Sequence, residues 1–391
     1  MVSGFNLGEL EQARCGGVGY DPRMLLGVLL FAISDGERSS RRIEKRCRFD
    51  ARYRLVAGGL DPDHNTIARF RRRLAGELPE LFRQALELAK REGLVRNRCV
   101  ALDGTRIPSS ASQWQQALAE AEVADADISD PDARFLMTRR GHVLGYNAQT
   151  IVDMETGILL AAKVSNHSND ASDIEAMLEE LDANLDSPPK ILAADAGYDS
   201  GSGAQAFAQR HIVTYIPPKR KPFWVIDEQG RIVCPAGNEP AFRSNIANKR
   251  GRHVQLSVEG CDVCPVRCHA NKEKTLRHRL GIDPIYVVRQ QLRSRTPEAK
   301  DMMRRRRTSI ERVFGCIKGN GGFRRFLLRG LDGANLEYGL ECLVYNLKKV
   351  VLPPLRAIWG ALRLQGARAV PLLRTTRRTF RLASWLATPT A

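Results

Sequence analysis

Three acidic residues stand where carboxylates could hold metal ions. Asp103 and Asp195 end two short apolar runs, Val100–Leu102 and Ile191–Ala194, and each run predicts a buried strand that opens into a tight turn. Glu311 lies in an arginine-rich stretch with a helical pattern. Carboxylates at strand ends and on a neighbouring helix can converge on two Mg²⁺ ions about 3.5–4 Å apart, and Mg²⁺ prefers such hard oxygen ligands. The chemistry indicated is metal-dependent phosphoryl transfer.

Each acidic residue also has an ordinary structural interpretation. Asp-Gly is a common turn pair, and Glu311 could form a surface ion pair with Arg307 that contributes only about 0.2–0.5 kcal/mol. The order of the three residues, the strand-end positions and the basic surroundings favour the chemical interpretation.

The charge of the chain points to a polyanionic partner. The 391 residues carry a formal net charge of +17, with 43% hydrophobic and 6% aromatic residues. Such an excess on a globular chain is typical of nucleic-acid binding. The longest apolar run, Leu25–Ile33, is too short to cross a membrane, and no secretory signal is evident at the start. We therefore expect double-stranded DNA as partner, no membrane, and a cytoplasmic, nucleoid-associated protein.

The first part of the chain, from Tyr20 to Leu94, is helical in pattern. One short helix follows a turn and predicted cap at Asp61–Thr66. The arginines expected on its exposed face are Arg69, Arg71, Arg72 and Arg73. Short helices, tight turns and an arginine-rich helix predict a helix-turn-helix-like DNA-binding unit. The alternative is a helical bundle with a solvated basic face.

The pattern changes to strands after Arg98. The predicted strands are Cys99–Leu102, Tyr146–Val152, Ile158–Val164, Lys190–Ala194 and Ile212–Ile216. The turn Glu155–Gly157 makes the second and third a hairpin, and helices precede the fourth and fifth. This order predicts an α/β fold with an RNase H-like core, in which the first and fourth strands are adjacent. Asp103 and Asp195 would then be neighbours.

Four of the nine cysteines form a metal-binding pattern. Cys234 is followed by Pro-Ala-Gly, and Cys261, Cys264 and Cys268 follow in C-x₂-C-x₃-C spacing. Thiolates at this spacing suit a tetrahedral structural zinc site. Buried free thiols are the alternative, and His269 is a substitute ligand.

Two further sets of polar residues are candidates. On a helix, Arg304, Arg307, Glu311 and Lys318 share roughly one face, which would place a carboxylate on metal and cations on the flanking phosphates. After the third strand, Asn166, Asn169 and Asp170 either face the active-site side or cap the next helix; His142 is a similar weak candidate.

The chain resembles a DDE transposase of a bacterial insertion sequence. The matching segments are LDGTRIPSSAS (102–112), GYNAQTIVD (145–153), VSNHSNDASD (164–173), ADAGYDS (194–200) and IERVFGCIKGNGGFRRFLLRGL (310–331). The family's helix signature reads Tyr, two residues, Arg, three residues, Glu, six residues, Lys. Arg307, Glu311 and Lys318 fit it, and Arg304 replaces the Tyr. The segments YDPRMLLGVLLFA, SSRRIEK and PDHNTIARFRRRL are similar to the preceding helical domain, although only nineteen residues precede Tyr20, which suggests a shortened start.

The resemblance implies a catalytic triad of Asp103, Asp195 and Glu311, two Mg²⁺ ions for which Mn²⁺ can substitute, and action on terminal inverted repeats and target DNA. A paired-end complex would require at least a homodimer. The predicted divisions are a helical, helix-turn-helix-like DNA-binding domain (1–95), the first part of the core (96–216), an insertion with the cysteines (217–295), the helical second part with Glu311 (296–351) and a basic tail (352–391). The alternatives are an inactive or domesticated DNA-binding protein derived from a transposase, and a structure-selective nuclease of the same fold.

Overall fold

The computed structural model describes residues 4–8, 10, 19–110, 130–138, 141–219, 224–248, 251–266, 268 and 274–365. His269 and the tail beyond 365 lie outside the described residues. Within the described part, no helix is both long and apolar enough to cross a membrane.

Five helices form the N-terminal part over residues 19–95, where the structure describes every position. They are α1 (Pro22–Ser34), α2 (Ser40–Phe49), α3 (Ala51–Val56), α4 (His64–Arg73) and α5 (Leu78–Arg91). Their starts follow ordinary capping chemistry. Asp21 accepts a hydrogen bond from the Arg23 backbone N–H and Pro22 opens α1, while Asp63 caps α4 through the N–H groups of Asn65 and Thr66.

A six-stranded sheet forms the centre of the molecule. Its strands are β1 (Cys99–Pro108), β2 (Arg134–Thr138), β3 (Gly141–Asp153), β4 (Leu159–Ser165), β5 (Ile191–Ala193) and β6 (Val213–Tyr215). The order is β2-β3-β1-β5-β6, and β4 also pairs with β3. Pairs β1–β3, β2–β3 and β3–β4 are antiparallel, whereas β1–β5 and β5–β6 are parallel.

All five predicted strands are present, although the bounds differ. β1 runs six residues past the predicted end at Leu102 because it pairs with β3 as far as Pro108. The predicted β3–β4 hairpin is confirmed, and Gly157 adopts a φ of +71° in its turn, a conformation that glycine adopts without steric cost. β2 was not predicted.

Helices cover the sheet and join it to the N-terminal part. They are α6 (Ile174–Asn184), α7 (Gly201–Gln209), α9 (Pro297–Gly315) and α10 (Gly330–Gln365). A π-helical turn, Cys316–Asn320, follows α9. α10 packs on β4, α5 and α1, and α9 packs on β1. One hydrophobic core therefore runs from the N-terminal helices through the sheet.

The region between β6 and α9 is built from small strands and one helix. It contains β7 (Val225–Ile226), β8 (Ile232–Val233), β9 (Ala241–Asn248), β10 (Gly251–Val258), β11 (Lys274–Arg279) and α8 (Pro284–Arg293). The strands form a two-stranded sheet, β7–β8, and a three-stranded sheet, β11-β10-β9. Trp224, Cys234, Val258 and Val288 make a small core of their own.

Candidate active site

Asp103 lies within β1, and Asp195 lies just past the end of β5, the parallel neighbour of β1 in the central sheet. The parallel pairing of β1 with β5 places Ala101 opposite Ala193. Each aspartate lies two residues beyond its alanine, Asp103 still within β1 and Asp195 past the end of β5. The prediction that the strands carrying these two aspartates are adjacent is confirmed by this register.

Asp103 is a largely buried carboxyl with a cationic neighbour. Burial raises the pKa of Asp103 to about 6, the guanidinium of Arg306 opposes that rise, and the charges of Asp195 and Asp170 add to it. A nitrogen of Arg306 lies 3.0 Å from Asp103 Oδ1, and Arg306 Nε donates to the Leu102 carbonyl over 3.3 Å. The carboxylate also accepts the Gly104 N–H at 3.0 Å. Because the negative charges of Asp195 and Asp170 lie near Asp103, this position favours a bound cation.

Asp195 shapes the turn that follows β5. Its Oδ1 accepts the Gly197 N–H at 2.7 Å and so caps the 3₁₀ turn Ala196–Tyr198. Asp195 remains partly accessible, whereas Tyr198 is buried at the end of that turn.

A third carboxylate, Asp170, faces the same place. Asp170 is 8% exposed and opens a 3₁₀ turn after β4. Its Oδ1 accepts hydrogen bonds from Asn147 (2.8 Å) and Gln149 (3.0 Å), and its Oδ2 lies 3.1 Å from Arg106. Of the polar residues after β4, Asn169 is a cap, since it accepts the Ala171 N–H.

From the sequence, Asp170 was expected either to face the active site or to cap the next helix. The polar residues of β3 are the sequence feature that could have pointed to it. β3 is buried along Leu144–Asp153, yet it carries Asn147, Gln149 and Thr150 among its apolar residues. Buried polar side chains require hydrogen-bond partners, so the pattern predicts a polar side chain packed against β3. Asp170 is that side chain.

Glu311 does not meet the two aspartates in this structure. The face of α9 that packs on β1 carries Arg306, Ile310 and Val313, all buried. Arg304, Arg307 and Glu311 are exposed. Among the described residues, no group of three or more His, Cys, Asp or Glu side chains is arranged to hold a metal ion.

Lys318 does not lie on the helix face that carries Arg304, Arg307 and Glu311. The π-helical turn Cys316–Asn320 interrupts the regular period after α9, and Lys318 is half-buried. Its ammonium group contacts the hydroxyl of Thr105 on β1, two residues from Asp103. Burial lowers the pKa of Lys318. The prediction of one common face is therefore wrong for Lys318, which contacts β1, whereas Arg304, Arg307 and Glu311 are exposed.

Comparisons with known proteins identify the family of the chain. A family model described as a transposase DDE domain matches residues 96–347, and a model described as transposase domain DUF772 matches residues 5–73. The chain belongs to the transposase DDE domain family. A cryo-EM structure of the piggyBac transposase synaptic complex with hairpin DNA is 10% identical, with a TM-score of 0.35, over 98% of this chain and 78% of that one. None of the curated proteins compared with the chain matches it.

The arginines of α4 in this transposase do not share one face. Arg69, Arg72 and Arg73 are exposed. Arg71 is 8% exposed, and its guanidinium donates to the Arg38 carbonyl at 2.8 Å. The prediction that Arg71 lies on the exposed face is wrong, because Arg71 lies on the same side of the helix as the buried Ile67 and Leu74.

The four predicted zinc ligands lie around one small pocket of the insertion. Cys234, Cys261, Cys264 and Cys268 line it together with Asn238 and Val258. Cys234 is buried, and the other three are partly exposed. The folding of the insertion brings the distant Cys234 to the C-x₂-C-x₃-C segment.

Proposed function

We propose that this protein is a metal-dependent DNA transposase that cuts the ends of an insertion sequence and joins them to target DNA. The observation that carries the proposal is the pairing of β1 with β5, which sets Asp103 beside Asp195 at one sheet edge. The strand order β4-β3-β1-β5-β6, antiparallel then parallel, supports an RNase H-like core. The N-terminal helices would form the DNA-binding domain.

The residues at this edge fit a divalent metal ion. Asp103 and Asp195 offer hard oxygen donors, and the raised pKa of Asp103 reflects burial beside other carboxylates, which a bound cation would relieve. Mg²⁺, or Mn²⁺ in its place, would there activate an oxygen nucleophile and stabilise the leaving oxygen. Asp103 and Asp195 would be ligands. We infer that Glu311 becomes the third when DNA is bound. Its helix, α9, packs against β1, although the Glu311 side chain itself is exposed in this structure.

The cationic side chains would bind and orient the DNA. Phosphoryl transfer needs little covalent help from a protein, and positioning with charge stabilisation dominates. Lys318, held beside Thr105, is placed to contact a phosphate near the reacting bond. The exposed arginines proposed to bind the phosphate backbone are Arg69, Arg72, Arg73, Arg304 and Arg307. Water would attack first, and the freed 3′-hydroxyl would attack target DNA.

The insertion would hold a structural zinc ion. Four cysteines line one pocket, and thiolates are the donors that zinc selects. In the described residues their side chains are not arranged around a common metal position, so the ion would draw them together. The ion would tie Cys234 to the segment 261–268 and stabilise a region with a core of only four buried hydrophobic residues.

The assembly and location follow from the reaction. Simultaneous action on two ends requires at least a homodimer, and a DNA substrate places the protein at the nucleoid.

A second candidate is a non-catalytic DNA-binding protein derived from a transposase. The exposed position of Glu311, away from both aspartates, is the observation that favours it. The same basic surfaces would bind DNA, and only the cleavage chemistry would be missing.

Cleavage of terminal-repeat DNA separates the candidates. With Mg²⁺, the wild-type protein should nick the element ends and join them to target DNA. Asp195→Asn should bind DNA as before and lose at least the about 10–100-fold in rate that is typical when a group supporting a metal ligand is removed. Asp182→Asn is the matched control, because Asp182 is an exposed aspartate of α6 that pairs with Arg210. Tight binding without cutting by the wild type would establish the non-catalytic candidate, and cutting without end preference would establish a nuclease.

A further inference from the structure

Asp170 joins the two segments that carry the active-site aspartates. It lies in neither segment, because it follows β4, whereas Asp103 is on β1 and Asp195 follows β5. Its charge nevertheless acts on Asp103. Burying a charged carboxylate such as that of Asp170 costs free energy unless the carboxylate is paired and hydrogen-bonded.

Both oxygens of Asp170 are engaged by the protein. Oδ1 accepts the amide groups of Asn147 and Gln149, which project from β3, and Oδ2 pairs with Arg106 of β1. The Arg106 and Asp170 side chains are 24% and 11% exposed. With these partners Asp170 is a poor metal ligand and a well-anchored support.

Asp170 also touches the residues next to both aspartates. A Cβ atom added to Gly104, the residue after Asp103, would lie 2.9 Å from Asp170 Oδ1. A Cβ atom added to Gly197, two residues after Asp195, would lie 2.9 Å from Asp170 Oδ2. Side-chain Cβ atoms essentially never make such close contacts. Glycine at both positions allows the carboxylate to fit between the two segments.

A hydrogen-bond chain extends this link into the turn after β5. The hydroxyl of Tyr198 donates to the side-chain carbonyl of Gln149, whose amide in turn donates to Asp170. Tyr198 ends the turn that Asp195 caps. Asp170 is thus connected to β1 through Arg106 and to the Asp195 turn through Gln149 and Tyr198.

We propose that Asp170 is a positioning residue for the transposition reaction, holding Asp103 and Asp195 at the separation that a shared divalent cation requires. The proposal rests on the proposed function. Groups that support metal ligands typically change metal affinity or activity by about 10–100-fold when they are removed.

The test measures Mn²⁺ binding to the full-length protein by calorimetry, beside Mn²⁺-dependent cleavage of terminal-repeat DNA. Asp170→Asn keeps the size of the side chain but presents an amide to the donors of Asn147, Gln149 and Arg106. We expect the Mn²⁺ dissociation constant and the Mn²⁺ concentration for half-maximal cleavage to rise about 10–100-fold, with DNA affinity unchanged.

Asp173→Asn is the matched control. Asp173 is 4% exposed and lies in the same 3₁₀ turn, but it faces Ser165 and His167. If Asp170 only stabilises the turn, Asp170→Asn and Asp173→Asn should lose the same thermal stability and bind Mn²⁺ with the same affinity. That result would overturn the proposal.

Gly104→Ala provides a second variant in case Asp170→Asn does not fold. Its methyl group would press on Gln149 and Asp170 and leave every charge in place. The same weakening of Mn²⁺ binding is expected. Wild-type Mn²⁺ affinity in both variants would overturn the role of Asp170 and leave the proposed function intact. Absence of both Mn²⁺ binding and cleavage in the wild type would overturn the proposed function and the positioning role together.

Discussion

Arg306 lies 3.0 Å from Asp103 and is the only cation of the described residues that forms an ion pair with it. The side chain of Arg306 is 8% exposed, and that of Asp103 is 23% exposed. Burial raises the pKa of Asp103, and Arg306 opposes that effect. The helix that carries Glu311 thus contributes, five residues earlier, the cation that opposes the rise in the pKa of Asp103.

Replacing Arg306 should move the pH dependence of cleavage. With the cation removed in Arg306→Met, the pKa of Asp103 should rise above about 6, by about one to three units for an ion pair at this distance. A metal ion binds the ionised form of Asp103 in competition with the proton, so at subsaturating metal the acidic limb of the pH–rate profile should shift to higher pH. Arg307→Met, an exposed neighbour, should weaken DNA binding and leave this limb in place. An unchanged limb in Arg306→Met would show that Arg306 does not control Asp103.

Glu341 should make stability fall with pH. It lies buried in α10, its Oε1 has no hydrogen-bond partner among the described residues, and burial raises its pKa to about 8 from an ordinary 4.5. A raised carboxyl pKa contributes stability that is fully present below about pH 4.5 and is lost as pH rises through 8. Glu341→Gln stays neutral, so its free energy of unfolding should exceed that of the wild type at pH 9, on the order of a few kcal/mol.

Urea unfolding at pH 5, 7 and 9 measures this difference. Glu179→Gln, an exposed position on α6, is the control and should follow the wild type. Parallel stability curves for Glu341→Gln and the wild type would show that Glu341 titrates normally.

Two neighbouring arginines of α4 should behave differently. Arg73 is exposed, so Arg73→Ala should weaken DNA binding and reduce the slope of log affinity against log salt by about 1. Arg71→Ala should leave that slope unchanged and lower the free energy of unfolding by about 1–3 kcal/mol, because the Arg38 carbonyl loses its partner. Salt titrations of DNA binding and urea unfolding of both variants measure these effects. A reduced salt slope in Arg71→Ala would contradict the structural role.

The cysteine pocket should contain zinc in the purified protein. Elemental analysis should give about one zinc per chain, and Cys264→Ser should lose it, because thiolates are the ligands that hold the ion. Cys316→Ala, outside the pocket, should retain the metal. Equal zinc content in both variants, or none in the wild type, would leave the cysteines as free thiols.

The sequence alone determined the strands and the pairing that matter most. Apolar runs ending in Asp103 and Asp195, separated by a hairpin and a helix, predicted adjacent strands, and the β1–β5 register agrees. Local signals suffice for the strands because strand periodicity and turn residues act over a few positions. The pairing was predicted from the order of the elements, which is that of an RNase H-like core. The cysteine spacing likewise predicted a cluster that the fold brings around one pocket.

Tertiary structure decided which charged residues face the aspartates. Regular helical spacing put Lys318 on the face of Glu311, but a π-helical turn redirected Lys318 to Thr105. The sequence likewise did not distinguish Arg306 from the arginines beside it, because only the packing of α9 on β1 selects the buried position. Asp170 reached the site through contacts with β1, β3 and the Asp195 turn. Such long-range contacts depend on how several elements pack, which local sequence patterns do not encode.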